Sequence, residues 1–172
     1  TSSLYGGPGT GVIVRPDGSR RIEVRNNGRV HADPTELSEA GLTNTINVAE
    51  MILGSTVSVS MTGQSFNVAS LQGTTTSLIT LGSPTTLTLY SFTNNVCPVG
   101  FVVNAGATLL MTAEALLTAT TEPAFAVYGK VVAASLTFGG FGNYFFGQTN
   151  SSVTAEVIIT SMTISPGALV TV

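Results

Sequence analysis

From residue 55 onward the chain is a succession of short alternating runs punctuated by Gly and Pro. Val57, Val59 and Met61 alternate with Ser58 and Ser60, and Leu87 and Leu89 alternate with Thr86, Thr88 and Tyr90. A period of two places the apolar residues on one side of an extended strand and the hydroxyls on the other. Further strands are expected at Phe66–Ser70, Ser77–Leu81, Phe101–Val103, Thr108–Thr112, Phe125–Ala134, Val153–Ile164 and Ala168–Val172. About ten strands at spacings of about 8–12 residues predict an all-β domain, an antiparallel β-sandwich or a jelly roll. Two arguments lead away from parallel architectures. Helical crossovers between the strands are missing from the pattern, and the sequence shows no strict internal repeat, which disfavours solenoids and propellers.

The first fifty residues have a different character. They hold Arg15, Asp17, Arg20, Arg21, Glu23, Arg25, Arg29, Asp33, Glu36, Glu39 and Glu50, whereas 51–172 hold only Glu114, Glu122, Lys130 and Glu156. The chain therefore divides into 1–53, an extended lead with a charged β-meander and a short helix, and 54–172, a charge-poor sandwich. In the meander, Gly11–Arg15 and Arg21–Arg25 are strands joined by the turn Pro16-Asp17-Gly18. Asn26-Asn27-Gly28 is a second hairpin signal leading into a strand at Arg29–Ala32. Asp33 as N-cap, Pro34 at the first helical position and Glu36 behind them predict a helix over 34–40, ended by Gly41. A further helical turn over Asn47–Leu53 has weaker support.

Catalytic groups are scarce. There is one His and one Cys in 172 residues. His31 lies in the charged meander, which suits a surface residue better than a triad member. Cys97 suits a buried structural thiol better than a nucleophile. The pairing Asp33, Glu36 and Glu39 fits a helix N-terminus facing solvent better than a metal site, so no metal and no cofactor are expected. Glu114, Glu122 and Glu156 carry no spacing that marks a carboxylate pair. The lead Tyr5–Gly11 is Gly-rich but lacks the Lys of a phosphate loop. Asn150-Ser151-Ser152 is a formal glycosylation sequon, and Thr1 fits either removal of an initiator Met or cleavage of a signal peptide.

Two groups of residues point to interactions. Phe138, Phe141, Tyr144, Phe145 and Phe146 lie within a Gly-rich stretch, which suits docking on a neighbouring subunit; stacking on sugars and plugging the end of a sandwich are the alternatives. Arg15, Arg20, Arg21, Arg25 and Arg29 are interleaved with acids, which favours salt bridges, between strands or subunits, over contact with a polyanion such as nucleic acid. A surface with so few charges over so many residues implies cover by neighbours or wetting by hydroxyls. The expectation is a non-enzymatic, self-assembling structural protein: a capsid, decoration or fibre subunit of a virion. Its partners would be copies of itself and other structural subunits, without membrane insertion. The second expectation is an extracellular or cell-surface filament or adhesin subunit joined by strand addition. The third is a glycan-binding module.

Overall fold

A computed structural model describes residues 10–25, 34–38, 45–140, 142–147 and 155–172. Strands β1 (Thr10–Val14) and β2 (Arg20–Val24) form an antiparallel hairpin across the Pro16-Asp17-Gly18 turn, as the sequence implies. Asp17 Oδ1 accepts the Ser19 backbone N–H at 2.9 Å, which closes that turn. Every other strand pairing among the described residues is parallel.

The chain winds as a β-solenoid of about six coils. The first coil is β3 (Thr35–Leu37), β4 (Ile46–Val48) and β5 (Glu50–Leu53), and the second is β6 (Ser58–Met61), β7 (Ser65–Val68) and β8 (Leu71–Gln72). The third has β9 (Leu78–Leu81), β10 (Thr86–Leu89), a bridge from Phe92 to Leu71, and β11 (Val96–Cys97). From the fourth coil onward two sides share one long strand: β12 (Gly100–Val103) with β13 (Thr108–Leu117), β14 (Phe125–Val127) with β15 (Lys130–Phe138), and β16 (Asn143–Phe146) with β17 (Glu156–Ile164). β18 (Leu169–Thr171) opens the next turn. Three sheets result, ordered β1-β2-β5-β8, β17-β15-β13-β10-β7-β4 with β11 beside β13, and β18-β16-β14-β12-β9-β6-β3.

This overturns the antiparallel sandwich and the jelly roll. Alternation identifies a strand with one buried side but carries no information on the direction of its neighbours. Parallel neighbours need a long connection, and here the rest of the coil supplies it without a helix. The missing repeat is also explained. Phe66, Leu87, Leu109, Val131 and Val157 stack in one column, at steps of 21, 22, 22 and 26 residues and with three residue types. The repeat is one of apolar position, not of residue identity or fixed length.

The helix expected over 34–40 is overturned too, because Thr35–Leu37 is a strand paired with β6. A single turn is costly to nucleate, whereas the strand stacks Leu37 on Met61, both buried. The weaker helical turn over 47–53 is β4 and β5. Phe125–Ala134, expected as one strand, breaks at Tyr128-Gly129 and turns a corner. The second hairpin at 26–28 and the strand at 29–32 lie outside the described residues. Strands on the two sides of residue 53 share sheets, β5 with β8 and β4 with β7.

The core is a set of apolar columns running along the coil axis. Leu81, Val103 and Val127 stack in one, and Ile79, Phe101, Phe125 and Tyr144 in another, all buried. Hydroxyl groups tie coil to coil at the corners. Buried Ser77 Oγ donates to Gly54 O at 2.9 Å and buried Thr85 Oγ1 to Met61 O at 3.2 Å. Ser91 Oγ donates to Ala69 O at 2.6 Å and Thr112 Oγ1 to Leu89 O at 3.2 Å. These hydroxyls give corner carbonyls a hydrogen bond inside the protein.

Close coil spacing at one corner depends on Gly129. A Cβ there would stand 2.3 Å from Asn104 O and 2.5 Å from Ala107 O, both backbone atoms of the preceding coil. Gly129→Ala is expected to lower unfolding stability by about 1–3 kcal/mol, the range for a forced overpacking. Chemical denaturation checks this, and an unchanged midpoint would show that the corner yields freely.

Candidate functional site

The residues singled out in the sequence do not converge on one site. Of the arginines, Arg15 and Arg21 both reach the Glu50 carboxylate, at 3.7 and 3.3 Å, and Arg21 also approaches Glu23 at 3.7 Å. Arg25 pairs with Glu23. These ion pairs lie on the outer side of the β1-β2-β5 sheet and join its strands within the chain. Arg20 has a polar partner as well, and Arg29 lies outside the described residues. Polar contact with Ser19, including its backbone N–H, holds the Asp17 carboxyl below its ordinary value.

The aromatic stretch is mostly core. Phe138, Tyr144 and Phe146 are buried, Phe145 is half-buried, and Phe141 is outside the described residues. Phe138 meets the Tyr144 ring at 4.8 Å and the Phe146 ring at 5.8 Å, both edge-on. The Tyr144 hydroxyl donates toward Gly139 O at 2.6 Å, with Leu117 O at 3.0 Å. Burial, the larger influence, raises the Tyr144 phenol above its ordinary value against the lowering effect of the Gly139 hydrogen bond. The stretch is therefore the end of β15, a turn at Gly140 with φ of 68°, and β16.

The three carboxylates of the charge-poor part have separate partners or positions. Glu122 accepts from Asn143 Nδ2 at 3.0 Å, Glu156 pairs with Lys130 at 3.0 Å, and Glu114 stands in register with Ser135 on β13. Among the described residues no group of three or more His, Cys, Asp or Glu side chains is placed to hold a metal. Cys97 is fully buried, its thiol donating to Val99 O at 3.8 Å, and burial pushes that thiol up to about 12.

The feature that sequence reasoning passed over is the last coil. Three apolar columns are covered along their length and then end in solvent, while those that end at Ile159 and Val170 stay half-buried. Val131, Leu136 and Phe138 on β15 are each 0% exposed, but their register partners on β17, Val157, Met162 and Ile164, are 38%, 54% and 50% exposed. On β18 the column residue above Tyr144 is Val170, half-buried, whereas Leu169, 60% exposed, follows the outward Asn143. A groove of about 690 Å³ opens there, lined by Phe146, Gly147, Ala155, Val157, Ile159, Met162, Val170 and Val172. Among the described residues β17 pairs on one side only, with β15, and no described strand lies along its other edge. The opposite end of the solenoid is closed: Ile22, Val24, Leu37, Ile46 and Val48 are buried, and β1 lies antiparallel at the edge of one sheet. A sequence signal for the open end existed. Val157-Ile158-Ile159 is apolar on both sides of the strand, in a segment whose sole charge is Glu156.

Comparison with family models, with curated proteins and with solved structures finds no match. The fold and the exposed end define the class, a parallel β-solenoid with one closed and one open end.

Proposed function

We propose that the protein is a non-enzymatic structural subunit, a rigid rod-like building block joined to other protein through its open end. A virion fibre or decoration component is the first setting and an extracellular filament the second. The observation that carries this reading is the emergence of core columns into solvent at Val157, Met162 and Ile164 of β17. An unpaired apolar strand edge is a template for strand addition and a liability in an isolated molecule. The sequence supports the non-enzymatic part, with its single His, its single Cys and few carboxylates.

The test is association measured by sedimentation over a wide concentration range. The wild-type chain is expected as a species heavier than one 17.6 kDa chain. Met162→Lys with Ile164→Lys places two charges where apolar groups would be covered. Both residues are half or more exposed, so the fold should persist. Association should weaken by at least about a hundredfold, since each 1.4 kcal/mol of lost contact is tenfold. A wild-type chain that stays monomeric at every concentration would remove the reading.

A further inference from the structure

We draw no further inference here: the strongest candidate, the apolar groove of about 690 Å³ beside β17 and β18 at the open end of the solenoid, is a surface for which nothing in the structure shows what covers it.

Discussion

Replacing Phe125 by alanine is expected to lower unfolding stability by about 3–5 kcal/mol, the largest effect of any single side-chain truncation proposed for this chain. Phe125 is 0% exposed and stands where three coils meet. Its ring lies 5.8 Å from Phe101 in the coil before and 5.9 Å from Phe146 in the coil after. In register it is opposed by Phe101 and Tyr144. A solenoid is held together by contacts between neighbouring coils, and one weak interface can separate the array into independently melting parts. Truncation at Phe125 removes apolar contact from both of its interfaces at once and leaves a cavity in the aromatic column. Chemical denaturation should show a lower midpoint, and the C-terminal coils should lose amide protection before the N-terminal ones. Phe145→Ala provides the comparison, since Phe145 faces outward, half-buried against Tyr128 at 5.7 Å. It should cost much less. Equal losses at the two positions would contradict the column as the main source of cohesion.

The strands and their buried sides were legible in the sequence, because alternation is a local property. Val57, Val59 and Met61 were expected on one side and all three are buried, as are Leu87, Leu89, Ile22 and Val24. Strand direction was not legible. It depends on which segments become neighbours, and here the neighbours are one whole coil apart. Phe66, Leu87, Leu109 and Val131 share a column only because each is apolar and each follows a corner. Their shape differs and the corners between them differ in length, so no identity repeat marks the period. A search for apolar-x-apolar pairs recurring at about 20–26 residues would have found it.

The candidate site was less legible than the strands, for a related reason. Aromatic density drew attention to 138–147, but aromatic residues in a solenoid serve the columns as readily as an interface. Tyr144 illustrates this, stacked on Phe125 in register and hydrogen-bonded to Gly139 O. Arg15, Arg21 and Arg25 have acidic partners inside the chain, and the hairpin that carries them lies at the closed end of the solenoid. What singles out β17 is where it stands rather than what it contains. Val157 and Val131 are the same residue type in the same column, and only the final position in the stack leaves Val157 exposed.

The same burial that makes Cys97 inert makes the chain sensitive to alkali. Burial raises its thiol to about 12, whereas in an unfolded chain it ionises near 9.0. Between those values the unfolded state gives up the proton and the folded state keeps it. The unfolded state therefore binds fewer protons, and stability falls as pH rises from about 9 toward 12, by about 1.4 kcal/mol per unit once the unfolded thiol is ionised. Below about 9 the thiol contributes no slope. Tyr144, raised by burial in the same way, acts in the same direction above its own ordinary value of 10.0. The full loss across the window is on the order of 4 kcal/mol from the thiol, a large part of the stability of a domain this size. Cys97→Ala is expected to remove most of the slope between pH 9 and 10, where Tyr144 contributes the smaller part, and to leave a shallower one above. Stability measured by denaturation across this range checks both. Thiol reagents supply the kinetic counterpart: at pH 8 the native thiol should react about a thousandfold more slowly than the denatured one, since only the thiolate attacks. A slope unchanged by Cys97→Ala, or rapid labelling of the native chain, would mean that the corner around Cys97 opens to water, and that the coils there separate far more easily than their packing implies.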